Sequence, residues 1–179
     1  MELVFPNVLI TGTPGVGKTT LARLLEDQLN EEFPGKFNLI QVSKLVLDQK
    51  LYKKWNDEFN VPEFDEDMLC DALEPLINVG GLIIDFHSCS FFPQSWFQQI
   101  ILLRASNTQL FDRLTERNYP ERKIRENVEA EIFNVVYDEV FESYSPNSII
   151  CLDSNTVEEM QANLETSLKH IKSKIKQLI

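Results

Sequence analysis

Long apolar runs are missing from this sequence: nothing in it approaches the roughly 20 consecutive apolar residues that a bilayer-spanning helix needs. Its opening, Met1-Glu2-Leu3-Val4-Phe5-Pro6, lacks a basic segment followed by a long apolar one, so neither a membrane span nor a secretion signal is expected. Positive charge is scarce. Against 28 Asp and Glu there are 17 Lys and Arg, a net charge of −11, which excludes a broad nucleic-acid-gripping surface and sends any anionic ligand to a local site. Cysteine is scarce too, with Cys70, Cys89 and Cys151 widely spaced and no Cys-x-x-Cys. Only two histidines, His87 and His170, are there to complete a metal site, and no zinc-ligand spacing joins them to the cysteines. Cys70 and Cys151 are therefore expected to be buried free thiols in a reducing compartment, cytosol or nucleus. No Asn-Lys-x-Asp guanine signature occurs, which weakens a GTPase reading, and there is no internal repeat.

What is present fits one ordinary domain over 1–179: 43% hydrophobic and 25% charged residues in 179 positions. Val8-Leu9-Ile10 has strand length and is stopped by Thr-Gly-Thr-Pro-Gly, after which Leu21, Leu24, Leu25 and Leu29 recur at helical spacing. A strand follows at 37–42, with Ser43 able to cap a helix towards Tyr52. The segment 56–74 carries eight acids and no base and is broken by Pro62, so its first half reads as a loop before a helix over 68–79. Leu82-Ile83-Ile84-Asp85 and 100–103 read as buried strands. A helix capped by Ser106 ends before Pro120. The spacing of Ile132, Val135, Val136 and Val140 predicts one helix over 124–144, then a strand at 148–152 and a terminal helix over 156–178. Strands alternating with helices imply an α/β, three-layer architecture with a mostly parallel sheet.

The chemistry concentrates at Gly12-Thr13-Pro14-Gly15-Val16-Gly17-Lys18-Thr19, a G-x-x-x-x-G-K-[ST] string lying between a predicted strand and a predicted helix. Its glycines let backbone N–H groups approach an anion, the helix N-terminus adds positive potential, Lys18 can reach β and γ phosphates, and Thr19 can ligate magnesium. Asp85 ends a strand of the same sheet, where ligands of open α/β sheets gather, and is the natural second partner of that magnesium. His87, two residues on, can position or deprotonate an attacking group. The segment 104–125 holds six bases against three acids. Arg113 and Arg117, four apart, are expected to share a flap that brings guanidinium groups onto the transferring phosphoryl. The six acids of 126–142 are expected to form a wet face, able together with 56–74 to attract a basic partner.

These residues, with Leu51-Tyr52, Asp65-Glu66-Asp67, Asp85-Phe86-His87, Phe91-Phe92-Pro93, Leu103-Arg104 and Glu131-Ile132-Phe133, resemble the small nuclear adenylate kinase family, adenylate kinase isoenzyme six, also called the coilin-interacting nuclear ATPase. The resemblance implies a P-loop NTPase fold with an adenylate-kinase-like five-stranded parallel sheet, a nucleoside-monophosphate segment near 41–64 and a short lid near 116–126. It implies Mg²⁺-dependent transfer from ATP to AMP and related monophosphates, ATP hydrolysis, and a role in small ribosomal subunit maturation with a basic small-subunit ribosomal protein or pre-ribosomal particle, in nucleus and cytoplasm. Carried over by motif, Gly15, Val16, Gly17, Lys18, Thr19, Thr20 and Arg117 would bind ATP. Lys18, Asp85, His87 and Arg117 would be catalytic, and Thr19 and Asp85 would hold Mg²⁺. This sequence has Leu47 where adenylate kinases commonly place an arginine for the acceptor phosphate, and Met68 where relatives often have a base. An ATP-driven assembly factor with incidental kinase activity, and a kinase of another small acceptor, stay open beside the nucleotide kinase.

Overall fold

The computed structural model describes residues 3–177. Its elements begin with β1 (Leu3–Val4), β2 (Val8–Thr11), α1 (Lys18–Glu32), β3 (Asn38–Gln41) and α2 (Val42–Asp48). A hairpin of β4 (Tyr52–Asn56) and β5 (Val61–Phe64) leads into α3 (Glu66–Ile77), β6 (Leu82–Asp85) and β7 (Gln99–Arg104). Then come α4 (Asn107–Glu116), α5 (Glu121–Ile132), α6 (Val135–Ser143), β8 (Ile149–Asp153), α7 (Val157–Ser173) and β9 (Lys176–Gln177). Among the described residues no helix is long and apolar enough to cross a membrane.

Five strands form one parallel sheet in the order β3-β6-β2-β7-β8. Side chains alternate across it, so each strand serves two cores. Leu9, Ile84, Ile100 and Leu102 pack with Val46, Leu73 and Val140 from α2, α3 and α6. Val8, Ile10, Ile83, Ile101 and Leu103 pack with Leu25, Leu110 and Leu164 from α1, α4 and α7. From β2 the chain runs out to the edge strand β3, returns to β6 beside β2, and then crosses to β7 on the other flank. This leaves a crevice at the carboxyl end of β2, the place where open α/β sheets take ligands. The expected three-layer α/β architecture is what the chain adopts.

Several expectations are corrected. α2 starts at Val42 behind Gln41, with no side-chain cap from Ser43, and stops at Asp48, before Lys50 turns left-handed (φ 55). The expected helix end and loop are instead the antiparallel β4–β5 hairpin, with Trp55 opposite Pro62 and Asn60 (φ 52) in its turn. A two-stranded ribbon standing off the main sheet has no fully buried face, so the period-2 apolar pattern that betrays a strand is absent. The single helix expected over 124–144 is broken at Asn134 (φ 57), a residue type that tolerates the left-handed region. Val136 and Val140 are buried while Ile132 and Val135 are half exposed, because the break points them away from the core. Of the thiols, Cys89 is the buried one; Cys70 is half-buried, and Cys151 is exposed on β8, which pairs with β7 at the edge of the sheet. The terminal helix stops at Ser173, and Lys176–Gln177 pairs with Leu3–Val4. Leu178 lies outside the described residues.

Candidate active site

The loop from β2 to α1 can take its shape because it carries glycine where the backbone is crowded and left-handed. Gly12 has φ 147, and a Cβ there would stand 2.5 Å from the Leu103 carbonyl oxygen; Gly15 has φ 100, and a Cβ there would stand 2.8 Å from Leu110 Cδ1. α1 then begins at Lys18 behind Gly17 with no side-chain cap, so its first-turn N–H groups are free to meet an anion at the mouth of the crevice. Val16 is fully buried and Thr20 exposed, so Val16 offers this loop its backbone alone.

Lys18 is nearly buried, and its Nζ donates to the carbonyls of Gly12 (2.7 Å) and Thr13 (3.2 Å). Burial brings its ammonium down from 10.5 to about 8; Asp85 and Glu131 oppose that fall, and Arg117 adds to it. The Thr19 hydroxyl donates to Asp85 Oδ2 at 2.5 Å, so the strand end and the helix start meet as expected. Among the described residues no group of three His, Cys, Asp or Glu could hold a metal ion. The Thr19–Asp85 pair supplies hard oxygen donors only, the set that suits Mg²⁺ completed by phosphate oxygens and water.

β6 ends at Asp85, and Phe86 turns inward to pack edge-on against Phe64 at 5.1 Å. His87 therefore stands out into the cleft. Solvent reaches the ring, yet loss of hydration among the cleft walls, then Lys18 and Lys123, hold it near 4 against the pull of Glu139, so the imidazole is neutral at pH 7. Arg117 caps the C-terminal end of α4 and lines the same cleft with its side chain exposed. Arg113 does not join it. Its guanidinium donates to the carbonyls of Asn155 (3.0 Å) and Gly15 (3.4 Å), tying the phosphate loop to the β8–α7 connection. The shared-flap expectation fails because α4 ends between the two arginines' roles: Arg113 lies inside the helix, Arg117 at its cap.

Two carboxylates read as part of a wet face are structural neighbours of this site. Glu131 is buried and accepts from the Thr13 hydroxyl (2.6 Å) and from Arg104 Nε (2.8 Å). Glu139 Oε1 accepts from the backbone N–H groups of Cys89 (2.7 Å) and Ser90 (2.8 Å), holding the loop behind His87. Burial pushes the Glu139 carboxyl up, but these donors win and hold it below the usual carboxylate range. For Glu131 a signal existed: it stands seven residues after the buried Ile124, on the same face of α5.

Thr13, Lys18, Thr19, Asp85, His87, Arg117 and Glu139 open onto one cleft of about 1190 Å³, while Glu131 and Arg113 support it from behind. One wall is the phosphate loop with Asp85 and His87; the facing wall is α2 and the hairpin, with Leu47, Trp55 and Phe64; Arg117 and Lys123 stand at the rim. A glycine-rich phosphate cradle at the carboxyl end of a central parallel strand, with its lysine and a threonine–aspartate oxygen pair, defines a P-loop phosphotransferase. A family model described as an AAA domain matches residues 8–134. The adenylate kinase isoenzyme 6 homolog of Drosophila melanogaster is 37% identical over 170 residues, 95% of this chain and 91% of its own length. That of Caenorhabditis elegans is 40% identical over 162 residues, 89% of this chain and 86% of its own. The chain belongs to the adenylate kinase isoenzyme 6 family. Among solved structures, shikimate kinase from Bacteroides thetaiotaomicron aligns over 96% of this chain and 99% of its own at TM-score 0.63 and 14% identity. Shikimate kinase from Acinetobacter baumannii in complex with shikimate aligns over 96% of each at TM-score 0.61 and 15% identity, a likeness of fold.

Proposed function

We propose that this chain is a Mg²⁺-dependent nucleoside monophosphate kinase that converts ATP and AMP to two ADP, and that hydrolyses ATP when water takes the acceptor's place. The observation that carries this reading is the shared cleft of about 1190 Å³ that sets the phosphate loop opposite α2 and the hairpin, with room for a donor and an acceptor. The backbone N–H groups of Gly15, Val16 and Gly17, with Thr20, would cradle ATP. Lys18, largely protonated at pH 7, would exchange its carbonyl partners for phosphate oxygens. Thr19 and Asp85 would hold Mg²⁺, which when bound neutralises phosphate charge. Arg117, at the end of a lid near 116–126, would meet the transferring phosphoryl. There an acceptor oxygen forms the new bond to γ-phosphorus as the bond to the β–γ bridging oxygen breaks. Neutral His87 would orient the attacking oxygen or take its proton.

A second reading rests on Leu47, which puts an alkyl group rather than a guanidinium on the acceptor wall. In it, the chain is an ATP-driven small-subunit assembly factor of nucleus and cytoplasm, and its acidic segments bind a basic ribosomal protein or pre-ribosomal particle. The test is ADP production from Mg-ATP with and without AMP, CMP, UMP and dAMP. Turnover that rises with an acceptor supports the kinase. Turnover that never exceeds the acceptor-free rate removes it, and stimulation by a basic small-subunit ribosomal protein would then support the assembly ATPase.

A further inference from the structure

Glu131 carries more bonds than a buried counter-ion requires. Pairing Oε1 with Arg104 Nε at 2.8 Å, and its carbonyl with the same guanidinium at 3.0 Å, already satisfies the charge. Its other oxygen, Oε2, reaches into the phosphate loop and accepts the Thr13 hydroxyl at 2.6 Å, with Thr13 1% exposed. The Thr13 carbonyl is in turn one of the two acceptors of Lys18 Nζ. Glu131 stands in the last turn of α5, just before the left-handed break at Asn134. At the far end of that 12-residue helix, Arg122 pairs with Glu58 of the hairpin turn and lies over the Phe59 ring at 5.3 Å. A helix of this length is a stiff rod of about 18 Å.

We propose that Glu131 is a positioning residue that couples occupancy of the phosphate loop to the placement of α5 over the cleft, through the Thr13 hydroxyl. The inference rests on the P-loop being the ATP site and is independent of which acceptor is used. Phosphate that draws Lys18 off the Gly12 and Thr13 carbonyls shifts the Thr13 peptide, and its hydroxyl carries that shift to the anchored end of α5. By linkage, a lid held closed favours the loop geometry that binds phosphate.

The test uses the full chain: calorimetric Mg-ATP binding, and hydrogen exchange of residues 119–126 with and without saturating Mg-ATP. Wild type is expected to bind Mg-ATP and to show protection of 119–126 on binding. Thr13→Val is expected to bind about tenfold more weakly, and to lose that protection even at saturation, a readout that a merely structural role would leave in place. Thr13→Ser, which restores the hydroxyl, recovers most of both. Glu131→Gln keeps the volume but offers one acceptor oxygen for two donors, and is expected to lose the protection as well; it carries the test if Thr13→Val fails to fold. Protection at saturation that survives in both Thr13→Val and Glu131→Gln overturns the coupling, whatever happens to affinity. Wild type that binds Mg-ATP without protecting 119–126 overturns it too, whereas wild type that binds no Mg-ATP overturns the ATP reading beneath it as well.

Discussion

The two walls of the cleft are built by different rules. On the phosphate-loop wall Thr13, Lys18 and Asp85 are 1%, 9% and 7% exposed, and each has a named hydrogen-bond partner on another segment or in the loop itself. On the facing wall Leu47 and Trp55 are 46% and 41% exposed, and the hairpin's ion pairs, such as Lys54 with Glu63 at 3.1 Å, lie in water where they stabilise little. The first wall has one geometry enforced by glycine backbone and buried bonds. The second offers apolar surface and few fixed polar groups, so in the proposed kinase reading, which seats the acceptor here, its identity can change without disturbing the phosphate loop.

The largest effect should come from the fixed wall. Lys18→Ala is expected to lower kcat by on the order of 10²-fold, the cost of removing one preorganised group from developing charge; near-wild-type turnover would break the contrast outright. Next, Gly15→Ala should destabilise the fold by about 2 kcal/mol, from a left-handed alanine whose Cβ meets Leu110 Cδ1 at 2.8 Å, read as a lower urea midpoint at unchanged slope. On the adaptable wall, Leu47→Arg should lower the KM for AMP about tenfold through a charge-assisted bond to its phosphate, with kcat little changed. An unchanged KM would mean that the acceptor phosphate does not lie against α2.

A smaller effect follows from the lysine's proton. Its ammonium titrates near 8 in the folded chain rather than at 10.5, so kcat/KM for ATP should halve near pH 8 and fall further above it, and Lys18→Arg should move that limb out of range. Stability moves the other way. The unfolded chain binds this proton more tightly, so the cost of burying the charge is relieved as pH rises from about 8 towards 10.5. Smallest of all, Glu58→Gln removes the exposed partner of Arg122 and should change stability by less than about 0.5 kcal/mol in thermal melts.

Legibility followed burial. β2, β6, β7 and α1 were readable because strands covered on both faces are continuous apolar runs and α1 repeats leucine on its buried face. The hairpin was not, since its residues face solvent or the cleft and carry no period. Arg113 and Glu131 were misread for a related reason. Charged residues on amphipathic helices are usually wet; the spacing of Glu131 from Ile124 puts it on the buried face of α5, but spacing does not say which carbonyl or threonine from another part of the chain waits for either residue.

By itself, the sequence determined the phosphate loop, its lysine and threonine, the strand-end Asp85 and the alternating order of strands and helices, because these depend on local backbone freedom and on short-range apolar spacing. Only the tertiary structure decided that Asn134 breaks a helix, that Arg113 serves the backbone while Arg117 faces the cleft, and that Glu131 reaches the phosphate loop. Those outcomes depend on which groups from distant segments share one buried volume, where an unpaired donor or charge is costly.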